Sequence, residues 1–95
     1  MIVLGGPMAR LILNPGKSDE TVFALHQGRN TVGRTKNNDV FVLHKSLSRQ
    51  HACLLLAGER AEIEDLGSKN GSFVDGVRVE RQALEGAHTV KLGDV

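Results

Sequence analysis

The amino-acid sequence predicts an all-β domain, a sandwich or barrel of short antiparallel strands. Three observations carry that expectation. Apolar runs of four to seven residues recur from Met8 onward, separated by Gly, Asn, Asp and Ser. No window shows the 3.6-residue apolar stripe of an amphipathic helix. Two-residue turn signals fall between the runs, above all Asp75-Gly76, among the strongest short-range hairpin signals.

Each element has its own justification. Met1-Ile2-Val3-Leu4 is too short for a signal sequence and lacks a basic start. With Gly5-Gly6-Pro7 it reads as a loose leader, residues 1–7, ahead of one domain over 8–95. Met8 to Leu13 is a first strand, closed by the turn residues Asn14-Pro15-Gly16. Thr21 to Leu25 is a second, broken by Gly28, and Asn30 to Gly33 a short third. Asp39 to Leu43 is continuous in Val and Phe, as a strand covered on both faces would be. Gln50 to Ala57 is the longest strand. Gly58-Glu59 then suits a two-residue hairpin turn with Gly first. Beyond it, Arg60 to Glu64 alternates, Ala61 and Ile63 inward and the two Glu outward. Ser72–Val74 and Val77–Val79 flank Asp75-Gly76, and Ala87 to Leu92 is the last full strand. Gly93-Asp94 reads as a turn and Val95 as the first residue of another strand. A final strand is therefore expected to be missing from these 95 residues.

Composition narrows the function. Ninety-five residues make one domain, and 40% hydrophobic, 24% charged and a net charge of +1 describe an ordinary globular chain. With no Trp or Tyr and three Phe, the stacking platform of a nucleic-acid binder is lacking. No apolar run approaches the roughly 18 to 20 residues that span a bilayer. The single Cys53 lies in an apolar run, where a buried, inert thiol is expected, and a lone cysteine fits a reducing compartment. His26, His44, His51 and His88 with Cys53 match no metal-ligand spacing, and no Gly-x-Ser-x-Gly elbow occurs. Neither a metal, a cofactor nor an active site is expected.

Charge is uneven. Between Gly28 and Cys53 the bases Arg29, Arg34, Lys36, Lys45 and Arg49 stand against one acid, Asp39. Locally basic loops on a nearly neutral domain suit a compact anion better than a long polyanion. Three loops share the chemistry: Gly33-Arg34, Ser48-Arg49 and Ser68-Lys69-Asn70-Gly71 each place a charged donor, hydroxyl or amide beside a small residue or a glycine. Glycine lets backbone approach a ligand, and a hydroxyl with a guanidinium suits a doubly charged oxyanion such as phosphate. Taken singly, each has a duller reading: a turn, or a solvated cation.

Gly33-Arg34, Ser48-Arg49-Gln50-His51, Asp65 to Ser72 and Asp75-Gly76, in that order and spacing, resemble the forkhead-associated (FHA) domain, from about Ala9 to Asp94. Asn37-Asn38-Asp39-Val40 resembles the preceding loop of that family. The resemblance implies a sandwich of two antiparallel sheets of the FHA/SMAD type, with ligand loops at one end. It implies a non-catalytic module that binds phosphothreonine in an extended peptide, the regulatory or scaffolding part of a longer cytoplasmic signalling protein. On this resemblance Arg34 contacts the phosphate and Ser48 donates its hydroxyl to a phosphate oxygen. Arg49 supplies a further donor. Asn70 grips the peptide main chain, and Lys69 replaces the commoner small hydroxyl beside it. Gly33, His51 and Gly71 support the site. An alternative on the same fold is a phosphate-independent interaction or assembly domain. Nucleic acid and membrane are not expected partners.

Overall fold

The computed structural model describes residues 2–5, 10–58 and 60–95. Its strands form two sheets. The first holds β1 (Ile2–Gly5), β2 (Arg10–Leu13), β3 (Thr21–Ala24), β8 (Ser72–Val74), β9 (Val77–Val79) and β11 (His88–Leu92), in the order β3-β2-β1-β11-β8-β9. The second holds β4 (Gly28–Gly33), β5 (Val40–Phe41), β6 (Ala52–Ala57), β7 (Arg60–Asp65) and β10 (Arg81–Leu84), in the order β10-β7-β6-β4-β5.

Alternation along the strands fills the space between the sheets. Val32, Ala52 and Leu54, Ile63 and Leu84 from one sheet meet Leu11, Val74, Val90 and Leu92 from the other. Burying each of the larger side chains contributes about 1.5–3 kcal/mol. Register follows from the turns. Asp75 (φ 49) and Gly76 (φ 86) both take positive φ, the type I′ geometry that closes Val74 on Val77 without splaying the strands. Gly58 has φ 64 where Ala57 pairs with Arg60; Glu59 lies outside the described residues. The apolar run of β6 is central in its sheet, which is why Cys53 is fully buried, in register between Thr31 and Glu64.

Four readings are corrected. Residues 2–5, expected in a loose leader, form β1, hydrogen-bonded between β2 and β11. Asp39 to Leu43 is not a strand covered on both faces. Its β5 core is the two residues Val40–Phe41 at a sheet edge, and Leu43 is 80% exposed. β5 runs parallel to β4, so the sandwich is not wholly antiparallel. A strand absent from the sequence reading, β10, pairs its Arg81 and Ala83 with Glu64 and Glu62 of β7. At the other extreme of the chain Leu92 and Val95 exchange backbone hydrogen bonds of 3.1 and 3.0 Å across Gly93-Asp94.

Candidate functional site

Three loops leave the same end of the two sheets: residues 34–39 after β4, 42–51 before β6, and 66–71 after β7. The middle loop is the hub. His51 is wholly buried, and its Nδ1 accepts from the Ser48 N–H at 3.1 Å. The proton therefore sits on Nε2, which donates to the Gly71 carbonyl at 2.8 Å. One imidazole thus fixes the loop before β6 against the loop before β8. Its backbone is bound as well, its N–H to Val32 O and its carbonyl to Leu66 N–H.

The first loop is laced to the same hub. Arg34 N–H donates to Ser48 O at 3.1 Å. The Arg49 carbonyl accepts from the Asn38 side-chain amide at 2.7 Å and from Thr35 Oγ1 at 3.3 Å. Gly33 is required for a steric reason rather than a conformational one. A Cβ there would lie 2.1 Å from Arg49 O. Any side chain would push the Arg34 loop off the Ser48 loop.

The third loop is built on a carboxylate. Asp65 Oδ2 accepts from Ser68 N–H, and Oδ1 from the hydroxyls of Ser68 and Ser72 at 2.5 and 2.6 Å. Burial pushes the Asp65 carboxyl up. The donors from Ser68 and Ser72, with His51 nearby, outweigh it and hold the group below the usual aspartate range. Ser68 Oγ in turn accepts from Gly71 N–H at 3.0 Å. Gly71 itself has φ 90, a left-handed position suited to glycine.

These links bring the expected ligand residues together. Lys69 N–H donates to Ser48 Oγ at 3.0 Å. The hydroxyl is thereby oriented as an acceptor to the protein, with its own proton left to donate outward. Asn70 Nδ2 donates to Ser46 O at 2.8 Å, which leaves one amide hydrogen and Oδ1. Arg34, Arg49, Lys69 and Asn70 are exposed and Ser48 is half-buried. Among the described residues none of these three cations has a carboxylate within 4.0 Å. Gly33, His51 and Gly71 lie beneath them, and all three are buried.

Residue-by-residue reading gave no supporting role in the site to three residues that hold this arrangement. Asp65 and Ser68 were legible as an Asp followed three residues later by a Ser, the pattern of a side-chain-capped turn. Ser46, with Lys45, resembles the FHA family's position for reading a peptide residue beyond the phosphothreonine, and nothing in the sequence marked it as an anchor for Asn70. It is buried, and its Oγ accepts from Asp94 N–H at 2.9 Å while lying 2.8 Å from His44 Nδ1.

Arg34, Arg49, Lys69 and Asn70 form an exposed crown of donors. Two clefts, of about 570 and 540 Å³, lie elsewhere, beside Phe41, Leu43 and His44 and beside Phe73 and Lys91. Neither is lined by Arg34, Ser48 or Asn70.

The model of the FHA domain family matches residues 30–95, a span that holds all three loops. The chain belongs to the FHA domain family. Glycogen accumulation regulator GarA of Mycolicibacterium smegmatis is similar to it, 31% identical over 85 residues, 90% of this chain and 54% of its own length. The ABC transporter ATP-binding/permease protein Rv1747 of Mycobacterium tuberculosis is 34% identical over 84 residues, 88% of this chain and 9% of its own length. The chain thus spans about half of the first relative and a small part of the second. A solved structure from an analysis of phosphothreonine-dependent FHA domain interactions superposes with a TM-score of 0.82 at 26% identity, over 99% of this chain and 90% of that one. As an FHA domain, the chain carries its loops on a scaffold shared with these relatives.

Proposed function

We propose that this FHA domain recognises phosphothreonine in an extended peptide, without catalysing a reaction, as the regulatory or scaffolding part of a longer cytoplasmic protein. One observation carries the reading. Arg34, Ser48, Lys69 and Asn70 come from three loops, are joined to one another directly or through Ser46, and present uncompensated positive charge at one end. A phosphothreonine supplies about −1.5 to −2 charges and three acceptor oxygens. Arg34 and the Ser48 hydroxyl serve the phosphate, Arg49 and Lys69 add positive potential, and Asn70 sets the register of the peptide main chain. The similarity to a structure concerned with phosphothreonine-dependent interactions supports the same reading.

Each hydrogen bond to the charged phosphate contributes roughly 1.5–3 kcal/mol, so two or three separate a phosphorylated from an unphosphorylated peptide by several kcal/mol. The exposed crown buries little else, and micromolar affinity follows, about −8 kcal/mol. The test is calorimetric titration with one peptide in phosphothreonine, phosphoserine and unmodified threonine forms. Binding of the phosphorylated form alone is expected, and equal binding of phosphorylated and unmodified forms contradicts the reading.

The alternative, phosphate-independent docking on the same scaffold, draws on Phe41 and Leu43, exposed at the β5 edge. It predicts a partner captured equally before and after phosphatase treatment.

A further inference from the structure

We propose that Arg78, outside the phosphate-binding set, reads an acidic residue of the bound peptide. The proposal rests on the phosphopeptide reading above and adds a position of sequence preference to it.

The observation is at Gly71. A Cβ built there would lie 2.9 Å from Arg78 Nε and 3.1 Å from Arg78 Cζ, with Phe73 Cε1 at 3.3 Å. The guanidinium therefore rests against the backbone of residue 71, the residue after Asn70. On the other side of Asn70, Lys69 N–H is bound to Ser48 Oγ. Along the chain, Asn70 lies between Lys69, bonded to the Ser48 hydroxyl, and Gly71, against which Arg78 rests.

Strand register explains why Arg78 is there. In the β8–β9 hairpin it pairs with Phe73. Ser72 and Val74 are buried toward the core, so Phe73 and Arg78 share the outer face. Lys91 of β11 pairs with Phe73 on its other side, and the row Arg78-Phe73-Lys91 places two cations about one aromatic ring. β9 is the edge of its sheet. Among the described residues no carboxylate lies within 4.0 Å of Arg78, which is exposed.

The occupant follows from charge and reach. A peptide held at its phosphate by Arg34 and Ser48 and at its main chain by Asn70 passes Arg78 within a few residues, at about 3.3 Å of extended chain per residue. A planar guanidinium takes a carboxylate through two parallel hydrogen bonds. Asp or Glu of the same peptide fits, and Lys or Arg is repelled.

The test is a set of phosphothreonine peptides carrying a single Asp or Lys at each flanking position, titrated against the unaltered domain, Arg78→Ala and Arg78→Glu. The unaltered domain is expected to favour Asp over Lys at one position by about two- to fivefold, the range of an exposed ion pair. Arg78→Ala abolishes that preference and keeps the dependence on phosphate, and Arg78→Glu reverses it. An acidic preference unchanged in Arg78→Ala, or none in the unaltered domain, overturns the proposal while the phosphopeptide reading stands. Loss of phosphate dependence in the unaltered domain overturns both.

Discussion

The two ends of the sandwich treat charge in opposite ways. At the end away from the three loops, ionised groups are matched. His88 Nδ1 meets Asp75 Oδ2 at 2.8 Å, and along the edge strand β10, away from the basic donors rather than at that end, Arg81 pairs with Glu62 and lies 3.9 Å from Glu64. Along the β4 edge, His26 faces Asp39, the last residue of the first loop, at 3.5 Å. Donors from Thr31 hold the Asp39 carboxyl low, and the Gln27 carbonyl and Asp39 raise the imidazole. At the loop end, Arg34, Arg49 and Lys69 go unmatched among the described residues, and Asp65 is turned inward on Ser68 and Ser72. Charge is thus matched at Asp75 and left unpaired, among the described residues, at Arg34, Arg49 and Lys69. The links differ as well. The loop end is tied by bonds between residues distant in sequence, such as Lys69 to Ser48 and Asn70 to Ser46. The β8–β9 hairpin at the other end takes its turn from Asp75-Gly76, with Asp75 held in addition by His88 and Thr89 of β11.

That contrast can be broken by mutation. The largest effect is expected for Arg34→Ala or Ser48→Ala. Losing one hydrogen bond to a dianion, about 1.5–3 kcal/mol, weakens phosphopeptide binding roughly 10- to 150-fold in calorimetry, with an unchanged circular dichroism spectrum. The matching change at the other end, His88→Ala, which removes the partner of Asp75, is expected to leave binding unaltered.

Glycine substitutions sharpen the same contrast in stability. Gly33→Ala drives a methyl into Arg49 O, 2.1 Å from the Cβ position. It is expected to cost roughly 1–3 kcal/mol in urea denaturation and to reduce phosphopeptide affinity, because the Arg34 loop must shift. Gly76→Ala meets no atom within 4 Å but keeps φ 86. It is expected to cost about 1–2 kcal/mol from the left-handed backbone alone, with affinity unchanged.

Acid separates the ends further. Asp65 has a lowered pKa, so the unfolded chain binds the proton more readily. Its stabilising contribution is present above the ordinary aspartate value and is lost as pH falls through the folded value. Thermal midpoints of the unaltered domain should drop more steeply in that acidic window than those of Asp65→Asn, the two curves converging as pH falls. Peptide affinity is expected to decline earlier, below about pH 6, where the phosphate takes up its second proton. The smallest expected effect is on stability in Arg81→Ala, about 0–1 kcal/mol, as for exposed ion pairs.

Where a local rule governs, the sequence was readable. Asp75-Gly76 specifies its turn whatever surrounds it, and the β8–β9 hairpin falls where it was expected. The three loops were visible as motifs, but the bonds joining them were not, because Arg34 N–H to Ser48 O or Asn70 to Ser46 depends on which strands lie side by side. β1 was missed because a four-residue apolar run reads equally as a leader, and its partner β11 is at the other end of the chain. β10 was missed because at an edge Arg81 and Ala83 stay exposed and leave little apolar pattern. Continuous Val and Phe suggested a covered strand at Asp39 to Leu43. Edge position and parallel pairing, neither visible in composition, decided otherwise.

Amide chemical-shift mapping during titration with a phosphothreonine peptide tests the central claim most directly. The account predicts perturbations at Gly33-Arg34, 46–49 and 68–71, little change at Asp75-Gly76 and His88, and no response to the unmodified peptide. Equal responses to both peptides, or perturbations centred on the charge-matched end, would contradict it.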